Sequence, residues 1–336
     1  MSRLCAILAA ASIGSGAFAQ KASVTTLATT TTMPAKVDSN SPAFWLNGVF
    51  HLFNSTVAGP MLSSGANQNA VSGPVPAQMN ALQKWPFWIE SVWRDPSGVL
   101  FGWYHQEVGP CGGTNYLAVP HIGAAISYDS GKTFLDLGTI IADGDAPNCK
   151  SKNGFVAGGN GDFSVIVDRT NTYFYILYTN YGGPAANQGV AVARMPYEAR
   201  FNPGGMVKKY YNGGWNEPGI HGQETPIFPA KVNWQLANTN SYWGPSVHWN
   251  TYLSTYVVLM NHSCCEPRYP QAGIYATYNP DLSNIAGWAT PKKLLDTPFW
   301  YPQVIGSGSA GSDHQAGQTA PLYIGGQSQH QITFSK

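Results

Sequence analysis

The sequence has little charge and little of the chemistry that builds exposed helices. Only 10% of its 336 residues are charged, whereas 13% are aromatic and the chain holds 37 glycines and 24 prolines. Straight-chain charged residues, which favour helices, are therefore scarce, and residues that form turns are abundant. This balance argues against a helical protein and predicts an all-β chain of short strands and many turns.

Runs of one charge are also missing. The formal net charge is +1 and no cluster of lysines or arginines interrupts the chain, so nothing in it attracts a polyanion such as nucleic acid. Beyond the first residues, no segment reaches the roughly 18 uncharged apolar residues of a membrane-spanning helix. We therefore expect a monomer that has a neutral partner and binds neither nucleic acid nor a membrane.

The chain begins with the features of an export signal. Arg3 precedes an apolar run over residues 4–13, and Ala17, Phe18 and Ala19 form the pattern that signal peptidase accepts. We expect cleavage after Ala19, so that residues 1–19 are a signal peptide and residues 20–336 form one secreted or periplasmic domain. Closed all-β domains of more than about 200 residues are common as single units.

The chain has few cysteines, and their number is the one expected of an exported protein. Without Cys5 of the signal, four cysteines remain, which suits an oxidising compartment and leaves three pairings open. Cys111 follows one predicted strand and Cys149 precedes another on the same face, so we expect a bridge between them. Whether Cys264 and Cys265 bond to each other or elsewhere stays open at this stage.

One structural unit recurs along the chain: a short strand, a tight turn and a second, aromatic-rich strand. Five copies span residues 41–55, 88–107, 162–181, 243–262 and 301–326. In the first copy, Asn47-Gly48 is a strong signal for a two-residue hairpin turn. Three hairpins are followed by a further strand, at residues 124–128, 189–193 and 273–278.

Four antiparallel strands repeated radially form the blades of a β-propeller, so the five hairpins predict an all-β, five-bladed β-propeller. The fifth copy ends at residues 330–334, one strand short of a full blade, and residues 22–27 are rich in β-branched residues. We predict that this amino-terminal segment pairs with the last blade and closes the ring. Residues 127–134 match the Asp-box pattern of sialidase-type propellers, in which Asp129 and Gly131 form a turn.

In a propeller, each innermost strand begins and its neighbour ends on the same face. This rule brings Asp38, Glu90 and Asp162 together at the entrances of the first three blades. Glu90 and Asp162 each interrupt an apolar strand, where a charge is costly unless it has a partner. We predict that these three carboxylates are catalytic.

The returning strands and the last two blades add polar and aromatic side chains to the same rim. The predicted substrate-binding residues are Asn54, His105, Glu107, Asn180, Tyr181, Trp243, Ser246, His262, Tyr301 and Gln303. Such residues suit a carbohydrate, whose hydroxyl groups need directed hydrogen bonds and whose C–H faces stack on rings. Trp88, Trp243 and Trp300 are the predicted sugar platforms.

Asp95 and Asp168 are expected to form turns, and Glu224 is the weakest carboxylate candidate because loop glutamates are usually solvated.

Glycoside hydrolysis needs one carboxylic acid to protonate the leaving oxygen and one carboxylate to activate water or attack carbon. Clustered like charges help, because they raise one pKa and keep an acid protonated near neutral pH. We therefore predict a glycosidase of the inverting type with Asp38 as base, Glu90 as acid and Asp162 as orienting group. We expect no cofactor; a structural calcium ion, with His314 beside Asp313 as a candidate ligand, stays open.

The chain resembles the five-bladed propeller glycoside hydrolases of families 43, 62 and 117. The resemblance rests on the repeated hairpins, on Asp38 before the first strand and on Asp162 at the start of the third blade. The resemblance spans nearly the whole mature chain and includes segments similar to arabinan-degrading enzymes. It implies an Asp base in the first blade and a second Asp that orients and tunes pKa, which correspond to Asp38 and Asp162. The family's acid commonly comes from a later blade than Glu90, yet residues 243–246 carry no carboxylate.

Two alternatives to a glycosidase remain at this stage. A lectin-like propeller would use the same carboxylates only to accept hydrogen bonds from sugar hydroxyl groups. A sialidase is suggested by the Asp box but needs three arginines to clamp the substrate carboxylate. Beyond the signal peptide the chain has only five arginines, which lie mostly in predicted turns or outer strands: Arg94, Arg169, Arg194, Arg200 and Arg268.

Overall fold

The computed structural model describes residues 21–80, 86–111, 117–267 and 270–336. The predicted signal peptide and Arg268 lie outside these residues. Five sheets follow one another along the chain, antiparallel except where two short strands pair in parallel at an edge, and their arrangement is a five-bladed β-propeller. The fold class predicted from the sequence is therefore confirmed.

The first blade consists of β2 to β5, and the second consists of β7 to β10 with the short β6 beside its outer edge. Their bounds are β2 Ala43–Leu46, β3 Val49–Thr56, β4 Gly59–Gly65, β5 Val71–Pro76, β6 Gln78–Met79, β7 Phe87–Arg94, β8 Leu100–Val108, β9 Val119–Ser127 and β10 Thr133–Ile141. Asn47 and Gly48 both have positive φ, 50° and 78°, as a two-residue hairpin turn between twisted strands requires.

The third and fourth blades are built in the same way. Their strands are β11 Asn160–Val167, β12 Tyr173–Asn180, β13 Gly189–Pro196, β14 Lys208–Tyr211, β15 Gly214–Pro218, β16 Phe228–Pro229, β17 Ser241–Asn250, β18 Thr255–Ser263, β19 Gln271–Asn279 and β20 Lys292–Leu295. In the part of the chain that the structure describes, three short 3-10 helices lie in connections, at Ala185–Asn187, Tyr197–Phe201 and Ile285–Gly287. Within the described residues, no helix has the length and apolar character needed to cross a membrane.

The fifth blade joins the two ends of the described chain. It contains β21 Pro302–Val304, β23 Thr319–Ile324, β24 Gln327–Ser335 and β1 Lys21–Thr32, while β22 Gln315–Ala316 pairs with β17 of the fourth blade. Strand β1 is antiparallel to β24, with Lys21 opposite Ser335 and Val24 opposite Ile332. The predicted closure of the ring by the amino-terminal segment is thus confirmed.

The core lies between neighbouring blades, where large side chains from facing sheets interlock. Between the second and third blades, Trp103 and Phe174 are buried with ring centroids 5.2 Å apart. At the centre, the Asn40 side chain donates to the carbonyl oxygens of Phe163 and Pro245, at 2.8 and 2.9 Å. The segment before β2 therefore ties the third and fourth blades together, which fixes the position of Asp38 two residues earlier.

The innermost strands share one irregularity near the entrance of the central channel. The pairing register shifts across Glu90 in β7, across Asp162 in β11 and across Gly244 in β17. A bulge rotates the affected side chain out of the regular alternation of a strand. In the second and third blades, the rotated side chain is a carboxylate.

The Asp box occupies the connection between β9 and β10, as predicted. Asp129 accepts hydrogen bonds from the backbone N–H and the hydroxyl of Thr133, at 2.9 and 2.7 Å, and Gly131 has a φ of 87°. Phe134 at the end of the motif is completely buried. The motif stabilises a turn in the second blade.

Two disulfides are present. Cys111 is bonded to Cys149, as predicted, with Cα atoms 5.4 Å apart and a sequence separation of 38. The bond fastens the loop that leads to β11 onto the end of the second blade. Cys264 is bonded to Cys265, which settles the pairing that the sequence leaves open.

Candidate active site

A cavity of about 550 Å³ opens at the face where the innermost strands begin. Carboxylates from three blades line it, namely Asp38, Glu107 and Asp162, and His105 lies between them. The remaining walls are mostly aromatic. A concave site with apolar walls and a few convergent polar groups is the usual form of a small-molecule or saccharide site.

Asp38 enters the cavity from the segment that precedes β2. Its backbone N–H donates to the carbonyl oxygen of Ser55 in β3, at 2.8 Å, which holds this segment against the first blade. The residue is exposed toward the cavity, yet its carboxylate lies among other acidic groups. Burial within the concave mouth raises the pKa of Asp38 to about 6, and the charges of Asp162 and Glu107 add to the rise.

Asp162 opens the third blade with an unusual backbone. Its φ of 40° lies in the left-handed region, which is sparsely populated by residues other than glycine. The Tyr181 hydroxyl, from the loop after β12, donates a hydrogen bond to the Asp162 carboxylate. A strained residue that the surrounding structure holds in place is common at functional sites.

Glu90 lies behind the cavity rather than in its wall. Its side chain is almost completely buried, and its oxygens accept hydrogen bonds from His105 Nδ1 at 2.9 Å and from the Phe163 backbone N–H at 2.8 Å. Burial raises the pKa of Glu90, while the hydrogen bond and charge of His105 oppose the rise. Burial lowers the pKa of His105, but Glu90 outweighs it and the net shift is upward. The raised pKa favours the protonated form of the imidazole.

Glu107 extends this arrangement into the cavity. One of its oxygens lies 3.7 Å from His105 Nε2, and 28% of its side chain is exposed, whereas the Glu90 side chain is 1% exposed. Burial raises the pKa of Glu107; the charge of His105 lowers it and that of Asp162 raises it again. Of the two glutamates next to His105, only Glu107 can contact a ligand in the cavity.

The aromatic walls form a continuous set of edge-to-face contacts. Trp243 lies at the centre, with its ring centroid 6.3 Å from Trp234, 5.6 Å from Trp300 and 5.8 Å from Tyr301. Its Nε1 atom donates to the Ser263 hydroxyl at 2.9 Å, which fixes the ring. Phe155, 49% exposed, extends the set outward next to Trp300. Such rigid faces can stack on sugar C–H groups.

Tyr301 is the second strained residue of the site. Its φ is 58°, and its backbone N–H donates to Asn261 Oδ1 at 3.2 Å. Burial, together with the charges of Asp162, Asp38 and Glu90, raises the pKa of the Tyr301 phenol far above its ordinary value. The phenol therefore stays protonated and can donate a hydrogen bond within the acidic cluster.

The structure brings most, but not all, of the predicted site residues to the cavity. Those that line it are Asp38, Trp88, His105, Glu107, Asp162, Tyr181, Trp243, Trp300 and Tyr301. Five predicted substrate-binding residues are not among the lining residues: Asn54, Asn180, Ser246, His262 and Gln303.

Four of these five make hydrogen bonds within the fold. Asn54 accepts from the Ala35 N–H, Asn180 bonds to Asn160 and Asn187, and Gln303 bonds to both backbone groups of Ser41. His262 bonds to Asn240 between two tyrosine rings, and Ser246 is buried within β17. Polar side chains at the ends of buried strands satisfy backbone groups that the sheets leave unpaired.

The other carboxylates have structural surroundings. Asp95 and Asp168 accept backbone N–H groups within their own turns, as predicted. Glu224 differs from its prediction, because it is buried and pairs with Lys209 Nζ at 2.7 Å instead of being solvated. Lys209 completes its bonding with Asn160 and two backbone carbonyls, so this pair is part of the interior of the third blade.

Potential metal-ligating atoms of Glu90, His105 and Asp162 lie within 4.8 Å of one another. Glu90 Oε1 already bonds to His105 Nδ1, and Glu90 Oε2 accepts from the Phe163 N–H. This bonding fits a charged hydrogen-bonded pair better than a set of ligands directed at one cation.

Sequence reasoning did not identify Trp234 and Phe155. Both lie in long connections, between β16 and β17 and before β11, where no strand register indicates which face a residue reaches. Trp234 is 2% exposed and packs against Tyr181 with ring centroids 4.8 Å apart. The only sequence signal was the aromatic residue itself.

Neither a protein-family model nor a curated protein sequence matches the chain. Solved structures do resemble its fold. An exo-β-1,3-galactanase from Phanerochaete chrysosporium, with β-1,3-galactotriose, aligns at 13% identity over 94% of this chain and 63% of that chain, with a TM-score of 0.52. A thermostable family-43 glycoside hydrolase aligns at 12% identity over 90% and 91% of the two chains, TM-score 0.52.

An endo-arabinase from Bacteroides thetaiotaomicron aligns at 11% identity over 91% of this chain and 97% of that chain, with a TM-score of 0.54. The chain spans slightly less than two thirds of the length of the galactanase. At these identities the likeness establishes a shared fold. The resemblance to five-bladed propellers of the family-43 group, predicted from the sequence, is confirmed at that level.

Proposed function

We propose that this chain is an exported glycoside hydrolase that cleaves glycosidic bonds in a neutral poly- or oligosaccharide. One observation carries the proposal: Asp38, Glu107 and Asp162 converge from three blades on one aromatic cavity. Hydrolysis of a glycosidic bond requires two carboxyl groups, one to protonate the leaving oxygen and one to act on water or on the anomeric carbon. A carboxylate pair suffices for this chemistry, so we propose no cofactor for the cleavage step.

We assign the base to Asp38, as the sequence predicts, and the acid to Glu107 instead of Glu90. A general acid must reach the glycosidic oxygen, and Glu107 lines the cavity whereas both Glu90 oxygens are engaged behind it. The raised pKa of Glu107 favours the protonated form that an acid needs. Glu90 would act indirectly, by fixing the His105 imidazole that lies next to Glu107.

Asp162 has the properties of an orienting group. Its negative charge raises the pKa of both Asp38 and Glu107, and Tyr181 fixes its carboxylate. We propose that it binds substrate hydroxyl groups and tunes the two reacting carboxyls. We propose an inverting mechanism, as the sequence predicts. In inverting enzymes the two catalytic carboxyl groups lie about 6.5–9.5 Å apart, whereas in retaining enzymes they lie about 5–5.5 Å apart.

The substrate we propose is neutral. The charged residues that line the cavity are carboxylates and one histidine, and in the described part of the chain no arginine or lysine lines it. A sialidase would need arginines there to clamp a substrate carboxylate, so the site does not favour that alternative. Neutral arabinans and β-1,3-galactans are the first candidates, because the similar folds include an endo-arabinase and an exo-β-1,3-galactanase.

The test is a survey of neutral plant and microbial glycans for released reducing ends, with anomeric configuration followed by NMR. We expect cleavage of at least one glycan by the wild-type chain and a loss of about 10³-fold or more in Asp38→Asn. Asp296→Asn is the matched control, because Asp296 is 86% exposed and pairs only with Lys293 on the surface. Full turnover by Asp38→Asn would contradict the assigned base.

A lectin-like function is the second candidate, since the rigid aromatic walls alone can bind a glycan. The same survey separates the two. Saturable binding of a glycan that the wild-type chain never cleaves, with equal affinity in Asp38→Asn, would favour the lectin.

A further inference from the structure

A second cavity, of about 420 Å³, lies at the opposite end of the central channel. Trp45, Trp93 and Trp249 line it, and each occupies one of the last two positions of an innermost strand. The first cavity is lined instead by residues at or before the beginnings of those strands, such as Asp38 and Trp88. The two cavities therefore open on opposite faces of the propeller.

The charge of the second cavity is opposite to that of the first. Arg94 and Arg169 line it, and within the described residues neither has a carboxylate within ion-pair distance. Asp168, the carboxylate in the lining, already accepts the backbone N–H groups of Thr170, Thr172 and Tyr173 in its own turn. Two guanidinium groups are thus available to an anion.

Arg169 is held in place before any ligand arrives. Arg169 lies over the Trp249 ring, 4.7 Å from its centroid, which orients the guanidinium by a cation–π contact. The Arg94 Nε atom is buried without a hydrogen-bond partner, an arrangement that is costly unless a ligand supplies an acceptor. Planar guanidinium groups bind carboxylates with paired hydrogen bonds.

The tryptophans supply a different kind of contact. Trp45 is half-buried, and its Nε1 atom donates to the Gly311 carbonyl at 2.8 Å, so its orientation is fixed. Trp93 is also half-buried and is held by edge contacts with Phe174 and Tyr197. Fixed indole faces in a half-open cavity suit the C–H face of a sugar ring, which a small inorganic anion does not have.

We propose that this second cavity binds a saccharide that carries a carboxylate, such as a uronic acid residue of an acidic glycan. The sugar ring would pack against Trp45 and Trp93, and its carboxylate would pair with Arg94 and Arg169. This site is separate from the one at which neutral glycosidic bonds are cleaved, and the inference does not depend on the catalytic roles assigned there. It gives the chain one face for a neutral glycan and one face for an acidic glycan.

The test is calorimetric titration of the full mature chain with trigalacturonic acid and with its methyl ester, in which the charge is removed and the rings are kept. We expect the acid to bind at least about tenfold more tightly than the ester, and binding to weaken as salt is added. Arg169→Gln should weaken binding of the acid about tenfold, and Arg94→Gln should do the same. Arg194→Gln is the matched control, since Arg194 lies 4.7 Å from the Trp215 ring outside this cavity.

Equal binding of acid and ester, or unchanged affinity in both arginine variants, would overturn the proposal. Competition by acetate or inorganic phosphate at the same concentration as the trisaccharide would show an anion site with no preference for a saccharide, and would overturn it as well. Arg169 is exposed, so the Arg169→Gln variant should fold. It therefore tests the proposal even if the Arg94→Gln variant fails to fold. Cleavage of neutral glycans should be unchanged in Arg169→Gln, so failure here is distinguishable from failure of the proposed hydrolase function.

Discussion

The Glu90 carboxylate accepts a hydrogen bond of 2.9 Å from His105 Nδ1 and thereby fixes the imidazole within the wall of the acidic cavity. The other ring nitrogen lies 3.7 Å from Glu107. The two glutamates therefore lie on opposite sides of one imidazole, and of the two only Glu107 lines the cavity. In the proposed hydrolase, this arrangement distinguishes Glu107, which would protonate the glycosidic oxygen, from Glu90, which would position His105.

Glu107→Gln should reveal the general acid through its dependence on the leaving group. We expect turnover of natural glycans to fall about 10²–10⁴-fold, because the leaving oxygen loses its proton donor. A dinitrophenyl glycoside of the same sugar needs no protonation and should lose far less. The measurement is kcat/KM for a series of aryl glycosides with leaving groups of increasing pKa.

Glu90→Gln is the matched comparison for this series. It should lower activity on all leaving groups alike, because it weakens the positioning of His105 without removing the proton donor. If Glu90→Gln shows the steep leaving-group dependence and Glu107→Gln does not, the acid is Glu90, as the sequence alone predicts.

Asp162→Asn should shift the pH profile toward acid. Asp38 must be ionised to act as base, and its pKa of about 6 predicts that kcat/KM falls as pH drops through that value. The charge of Asp162 raises the pKa of both Asp38 and Glu107. Removing that charge lowers both pKa values, so both limbs of the profile should move to lower pH. A lower rate with limbs at their original positions would indicate that Asp162 only binds substrate.

A site residue can be predicted from the sequence where its position follows from the direction and register of a strand. His105 lies where the alternation and direction of the hairpins place it, Asp162 lies at the strand entrance that the direction of β11 predicts, and the ring closure follows from the missing strand of the fifth copy. A regular strand would direct Glu90 to the mouth as well. The bulge across Glu90 turns its carboxylate to the Phe163 N–H instead. Sequence patterns do not specify such a bulge.

Two further sets of residues, the amide side chains at strand ends and the aromatic residues in long connections, could not be placed correctly from the sequence. Asn180 and Gln303 are at strand ends as expected, but unpaired backbone groups nearby take their hydrogen bonds. Trp234 and Phe155 reach the cavity from connections whose course depends on packing between distant segments. Neither a hydrophobic period nor a turn signal encodes that course.

Trp300→Ala should weaken substrate binding more than catalysis. Trp300 is half-buried in the cavity wall and contacts Trp243 and Phe155 through its edge. Losing one stacking face should cost about 1 kcal/mol, which corresponds to about a fivefold rise in KM with a smaller change in kcat. Phe299→Ala is the control, because Phe299 is 64% exposed and is not among the lining residues. Equal effects of the two substitutions on KM would contradict a platform role for Trp300.

Gln303→Ala should reduce stability rather than substrate affinity. The Gln303 amide bonds to the Ser41 N–H at 2.6 Å and to the Ser41 carbonyl at 2.7 Å, which joins the fifth blade to the first. Truncation leaves buried groups unpaired, so we expect a loss of about 1–3 kcal/mol in the free energy of unfolding. Denaturant titration measures it, with the exposed Gln318→Ala as control. A rise in KM without loss of stability would support the substrate-binding role predicted from the sequence.

Val24→Asp should weaken the closure of the ring. Val24 is half-buried opposite Ile332 and packs on the core between the fourth and fifth blades, whereas its neighbour Thr25 is exposed. Burying a carboxylate there should cost about 1–3 kcal/mol and lower the melting temperature, while Thr25→Asp should change it little. Deletion of residues 20–32 removes the whole strand and exposes the edge of β24, so it should lower the melting temperature further. Unchanged melting in the deletion variant would mean that β1 covers the last blade without stabilising the ring.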